Sequence, residues 1–555
     1  MKKRLVSLVC AVGLSFAVLP FSGCGPRGND IDINKTQLYV GALNQGIGME
    51  WLEKAADRFE AYYANTPFEE GKVGVQIIPE PVDGAASLIN TFRHERVEVV
   101  FNEGVDYDAW VKQGLLLEIT DVVSGENADL SAYGDPEGTT IESKMDSAAI
   151  SYYKQDDKYY AIPFYQATNG IMYNIDLWEK NGYYFKEGGG WTGNVAEATV
   201  GQDNKKGTFD DGLPRTFDDF YTLCEHIKND GTDTIPIGWT GAYDLSYINA
   251  FLFCMAADID GAEQFRLNFT FDGDAEGLIT GFDSDGKPII SDKSEPIEPQ
   301  TGYKLYKQQG KFYALSFIEN IIDRGYYSPK LLNNQTVEHT IMQSYFVTTE
   351  EYGGTVLGQD VAMMIEGTWW FNESRNYLAV NESKGGGKYN QQFGIMPLPK
   401  PTEEHVKDGY TMFDNKSSAC FINANIAESK IELAKEFIKF VHSNESLIEF
   451  TETVSMTKPY TYSIDESSSN LAPYAQQLIE VTQASDLVYP FSNSNMYTRR
   501  RGTLLSSTVW ATMIGEHSYN HPTTDFKDGV SAVDYFNNLL FADPDYWQNI
   551  FEYDF

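Results

Sequence analysis

Between residues 37 and 101 the apolar pattern changes period repeatedly, and this alternation restricts the possible folds more than any other feature of the chain. Residues 37–43 read as a buried strand and 44–48 as a loop. Residues 49–63 read as a helix with Leu52, Ala55, Ala56, Phe59 and Tyr63 on one face. Residues 73–78 give the next strand, 85–92 a helix, and 97–101 a short apolar strand that runs into the polar loop Asn102-Glu103-Gly104. Strand, helix and strand in this order predict an α/β fold with a largely parallel sheet, because parallel neighbours need a crossover connection. At 555 residues the chain exceeds what one hydrophobic core supports, so at least two lobes are expected.

A second α/β series begins after Tyr159-Tyr160-Ala161-Ile162-Pro163. Thr216, with Asp219 three residues on, is placed to cap a helix whose Phe220, Leu223, Cys224 and Ile227 face inward. Residues 234–239 follow as a strand, and 427–441 as a periodic helix with Ile431, Ala434, Ile438 and Val441 aligned. Two stretches read as insertions that could reshape a site's rim: 185–212, rich in Gly, Asn and Asp, and 265–294, whose Asp-Gly pairs suggest a β-hairpin excursion.

The first residues point out of the cytoplasm. Lys2, Lys3 and Arg4 precede an apolar run over 5–19 that is too short to span a bilayer and stops at Pro20, the pattern of a secretory signal. Phe21-Ser22-Gly23-Cys24 then resembles the lipobox of bacterial lipoproteins, with Phe21 where Leu is usual. The resemblance implies a signal peptide over 1–23 and a lipid on Cys24, so that the protein meets the membrane through that anchor alone. Beyond Cys10 and Cys24 only Cys224, Cys254 and Cys420 remain, in no metal-binding spacing; they read as buried thiols, with one bridge as the alternative. A formal charge of −38 argues against nucleic acid as a partner.

Several segments, in order, resemble the extracellular solute-binding proteins of ATP-driven sugar importers, the family that includes maltose-binding protein. They are Gly114-Leu115-Leu116-Leu117-Glu118-Ile119; Ile162-Pro163 with Gly170-Ile171-Met172-Tyr173-Asn174; the run from Gly358 to Trp369 with its Ala362-Met363; Phe393-Gly394-Ile395-Met396-Pro397; and Ala434-Lys435-Glu436-Phe437-Ile438. The resemblance implies a two-lobed periplasmic-binding-protein-like fold with three hinge crossovers and ligand in the cleft between lobes. Transferred here, the first lobe takes 30–162 plus 423–483 and the second 163–421 plus 485–555. It also implies an oligosaccharide ligand and, as partners, the permease subunits of an ABC importer.

A sugar presents C–H faces and a rim of hydroxyls, so its site needs flat aromatics edged by carboxylates and amides. With 33 Phe, 35 Tyr and 9 Trp, abundance alone singles out none of them. Trp369 falls on the family's cleft tryptophan, whereas its neighbour Trp370 points elsewhere if a helix begins here. Trp239, Tyr243 and Asp244 follow the carboxyl end of a strand, where α/β folds place ligands. By the same rule Asn44, Gln45, Asn102, Glu103 and Asp106 occupy loops after first-lobe strands. Gln166 and Asn169 sit at the first crossover, and Tyr497 and Arg500 near an aromatic and basic position that the family uses at its third.

No G-x-S-x-G, H-E-x-x-H, P-loop or Rossmann fingerprint is present, and no cofactor is called for. His517 and His521 share i, i+4 spacing before Pro522 and read as a helix end. Asp272, Asp274, Glu276, Gly277 and Asp283 loosely match a calcium loop, although Asp-Gly turns explain the same letters. The sequence reading is thus a non-enzymatic binding lipoprotein that delivers an oligosaccharide to an importer. Two alternatives stay open: a sensing or non-transport lipoprotein for another solute, and a carbohydrate-active enzyme.

Overall fold

The computed structural model describes residues 31–82, 97–104, 107–332, 334–352, 354, 357–385, 391–464, 470–490, 495–514 and 518–552. The signal segment with Cys24, the expected helix 85–92, Asp106 and His517 lie outside the described residues.

Two sheets organise the chain. The first contains β1 (Thr36–Leu43), β2 (Val75–Val82), β3 (Val99–Asn102), β4 (Ile162–Pro163) and β9 (Ala419–Ile422) in the order β2-β1-β3-β9-β4. β1 pairs in parallel with β2 and β3, while β9 runs antiparallel to β3 and β4. Seven of the eight residues of β1 are buried, the pattern of a parallel strand covered on both faces. Helix Glu50–Tyr62 lays Trp51, Leu52, Ala55, Ala56 and Phe59 into this core, with Glu50 and Glu53 at its electropositive first turn.

The second sheet has β5 (Asn169–Asn174), β6 (Ile235–Gly238), β7 (Val361–Gly367) and β8 (Phe393–Met396) in the order β6-β7-β5-β8. From Met363 on, side chains alternate between two apolar clusters: Ile171, Met363 and Ile365 enter one, Met172 and Met364 the other. That is the period-two geometry of a strand buried on both faces. Thr216 and Asp219 form the expected capping box, each side chain accepting from the other's backbone N–H. Helix Asp244–Asp260 buries twelve of its residues against this sheet and helix Gln309–Asp323.

Three connections join the lobes. Residues 164–168 lead from β4 to β5, 414–418 lead from strand Tyr410–Phe413 to β9, and the third runs between helices Asn444–Val454 and Pro473–Gln483. The structure moves two boundaries drawn from the sequence. β9 pairs in the first sheet, because Cys420, Phe421 and Ile422 fill that lobe's core. Helix Pro473–Gln483, assigned to the first lobe above, packs Tyr474, Ala475 and Leu478 with Met172 and Phe393 of the second. The expected hairpin insertion opens with a helix, Ala262–Thr270, before its paired strands Gly273–Ala275 with Glu295–Ile297 and Ile279–Phe282 with Pro288–Ile290. Asp272, Asp274, Glu276 and Asp283 are therefore spread along hairpins, and Asp283 Oδ1 accepts from the N–H groups of Asp285 and Lys287 within a turn. Cys224, Cys254 and Cys420 are buried and unpaired. No described helix is long and apolar enough to cross a membrane.

Candidate functional site

A cleft of about 920 Å³ opens between the lobes beside the first two crossovers. The first lobe supplies Gln45, Gly46 and Ile47 from the loop after β1, and Glu103 from the loop after β3. The second supplies residues 241–247, Asn249 and Ala250 from the loop and first turns that follow β6, together with His339, Trp369 and Glu373. Tyr165 comes from the first crossover, Asn415 and Lys416 from the second. Except for His339, which opens helix His339–Val347, these residues follow the end of a strand, where the chain must turn and can present side chains to a ligand.

Six aromatic side chains, Tyr165, Tyr243, Tyr247, Phe253, Trp369 and Phe413, border the cleft. Trp369 precedes the short helix Trp370–Glu373 and is partly buried, its indole lying over Gly367, where a Cβ would stand 2.1 Å from the ring. A glycine at 367 is what leaves room for the indole there. Trp370 points the other way and is fully buried against Phe346, Phe393 and Tyr474. Lys416 Nζ lies 4.1 Å from the Trp369 ring centroid and 3.6 Å from Glu103 Oε1. Across the cleft's inner edge Asn372 Nδ2 donates to the carbonyls of Gly46 and Ile47, at 2.8 and 2.7 Å, so the lobes already touch.

Charge in the cleft is tightly managed. Tyr165 Oη donates to Glu103 Oε2, and burial together with that carboxylate pushes the phenol's pKa well up. Gln343 Nε2 donates to Glu373 Oε2 at 2.7 Å, with His339 Nε2 3.9 Å from Oε1. Behind Glu373, Glu366 is fully buried and takes the Gly367 N–H at 2.9 Å; burial first and the Glu373 charge second raise its pKa far above the carboxylate range.

Of the residues expected from the sequence, Gln45, Glu103, Asn169, Tyr243, Asp244 and Trp369 meet at this cleft. The others sit elsewhere for identifiable reasons. Trp239 is a core residue that packs on Tyr327 and donates its Nε1–H to Asp244 Oδ1 at 2.5 Å. Asp244 borders the cleft, but its second oxygen takes the Thr523 hydroxyl and faces His521 Nδ1 at 3.4 Å, so it serves the lobe's packing rather than standing open as a hydroxyl acceptor. Asn102 is buried and caps the N–H of Glu103. Gln166 is buried with its amide on Met412 Sδ at 3.8 Å. Tyr497 packs edge-on to Phe269 in the second-lobe core. Asn44 is exposed beside the cleft, and Arg500, on helix Asn495–Leu504, does not line it. No described residue of 185–212 or 265–294 lines it either.

Residues 54–472 match the family model of the bacterial extracellular solute-binding protein. The chain belongs to that family. No curated protein sequence matches it. Among solved structures, a chitin oligosaccharide binding protein superposes at a TM-score of 0.54 with 15% identity, over 94% of this chain and 99% of its own. Maltose-bound T. maritima MalE3 gives 0.53 and 14%, over 93% and 99%. A cyclic alpha-maltosyl-1,6-maltose binding protein from Arthrobacter globiformis gives 0.51 and 13%, over 93% and 100%. At such identities the likeness is one of fold, the two-lobed architecture described above.

Several cleft residues of this solute-binding protein escaped the sequence reading. Tyr247 stands four residues after Tyr243, and Glu373 four after Trp369, a helical turn in each case. That spacing was available as a signal. Tyr165, Asn415 and Lys416 come from crossovers, whose location depends on which strands pair, and no local pattern reveals it.

Proposed function

We propose that this solute-binding protein captures an oligosaccharide in the interlobe cleft and passes it to an ABC importer, tethered outside the cytoplasmic membrane by a lipid on Cys24. One observation carries the reading of the ligand: six aromatic side chains line a cleft whose polar edge is built from carboxylates, amides and a lysine. Aromatic planes suit the C–H faces of pyranose rings, and the polar groups suit their hydroxyls. The roughly 920 Å³ available is near the upper end of small-molecule sites and leaves room for more than one ring. The solved neighbours named for chitin oligosaccharide and maltose binding support the same class. Membership of the family supports delivery to a permease, and the Phe21–Cys24 segment supports the tether.

The test is a thermal-shift screen over soluble oligosaccharides, with maltotriose, raffinose and chitotriose among them. A ligand at 100 times its dissociation constant adds about 2.7 kcal/mol to stability, which such a screen resolves. A rise with one glycan class supports the reading. A flat response to every glycan, with a rise for an unrelated solute, refutes it.

A further inference from the structure

Lys416 sets its ammonium over the Trp369 indole. Its backbone is fixed on both sides: the Lys416 N–H donates to Asp414 Oδ1 at 3.0 Å, and its carbonyl accepts from Gly104 N at 3.1 Å. Ser417, next in the chain, is held at φ 51°, a left-handed conformation that the Asp414 carboxylate supports by also taking the Ser417 N–H at 3.3 Å. From this anchored point on the second crossover the side chain reaches across the cleft. It sets its ammonium 4.1 Å from the Trp369 ring centroid, on the second lobe, and 3.6 Å from Glu103, on the first. The Lys416 and Glu103 side chains stay 29% and 25% exposed, so the contact is open enough to break.

We propose that Lys416 is an internal competitor for the Trp369 platform: it covers the indole while the cleft is empty, and an incoming sugar ring must lift it off. The proposal rests on Trp369 being a ligand platform, as argued above. A cation over an indole face and a ring stacked on that face exclude one another. The lysine thereby sets a threshold that a ring must exceed, so it acts as a specificity-determining residue against solutes that stack weakly. The anchored backbone means that only the side chain has to move.

Two measurements test this. The first needs no ligand: in K416A the exposed indole makes tryptophan fluorescence more quenchable by acrylamide. That gain disappears when K416A is placed in a W369F background, and K416R, which keeps a stacking cation, behaves like wild type. Equal quenching of K416A and wild type overturns the proposal. The second is calorimetric titration with whichever of maltotriose, raffinose or chitotriose stabilises the protein. K416A is expected to bind about three- to tenfold more tightly, the scale of one exposed cation–π contact with its ion pair. If W369A loses affinity and K416A loses it too, Lys416 is a ligand contact, and the competitor role falls while the platform stands. If neither variant alters affinity, the platform itself is misplaced.

Discussion

Trp369 and Trp370 are adjacent in sequence and face opposite environments, so truncating each should give opposite results. Trp370 is fully buried among Phe346, Phe371, Phe393 and Tyr474. Trp370→Ala opens a closed apolar cavity, at a cost of about 3–5 kcal/mol of folding stability. Trp369 is only partly buried and lines the cleft, with the Lys416 ammonium over its ring. Solvent fills the space left by Trp369→Ala, so the folding cost stays well below that of a core tryptophan. If the indole stacks on a sugar, its loss should cost at least about 2 kcal/mol of binding, close to thirtyfold in affinity. The assay pairs ligand-free thermal unfolding with calorimetric titration of a stabilising oligosaccharide on both variants. W369A should melt near wild type and bind weakly; W370A should melt clearly lower. A W369A protein with reduced ligand-free stability and intact affinity would place the indole in the core and refute the reasoning.

Three further outcomes follow from other parts of the molecule. Lys458 is fully buried among Trp51, Phe164 and Phe450, 4.5–5.5 Å from each ring centroid, with no hydrogen-bond partner for Nζ, and burial pushes its pKa down to about 7. The unfolded chain keeps that proton to higher pH, so stability should rise between pH 7 and 9; Lys458→Met should flatten the rise and gain stability at neutral pH, and identical pH profiles in chemical denaturation would contradict this. Breaking the buried pair of Lys144 and Asp135, 2.9 Å apart, by Asp135→Ala strands an ammonium and should cost about 3–5 kcal/mol in the same assay. Cys24→Ala should release the protein from membranes or leave it unprocessed in a fractionation experiment, and a normally processed, membrane-bound variant would contradict the tether.

The alternation of periods over 37–101 was enough to call for the first sheet, because β1 and the helix Glu50–Tyr62 carry their own local signals. The capping box at Thr216 was equally legible, since it needs only two residues three apart. What local pattern could not supply was long-range pairing. Helix Pro473–Gln483 has an apolar face that fits either lobe, and only contact with β8 decides the second. Trp239 looked like a rim residue because it follows a strand, yet its Nε1–H finds Asp244 inside the fold and the ring stays there. Lys416 offered no motif: its role comes from β9 joining the first sheet, which brings residues 414–418 beside Trp369 and Glu103.

Hydrogen exchange with and without a stabilising oligosaccharide tests the central claim most directly, because a ligand held between lobes must slow exchange on both. Protection is expected together at 45–47 and 103, in the segment 241–247 and at 415–416 of the crossover, all of which border the cleft. Protection confined to one lobe, or falling outside these segments while binding is saturated, would contradict capture in the interlobe cleft.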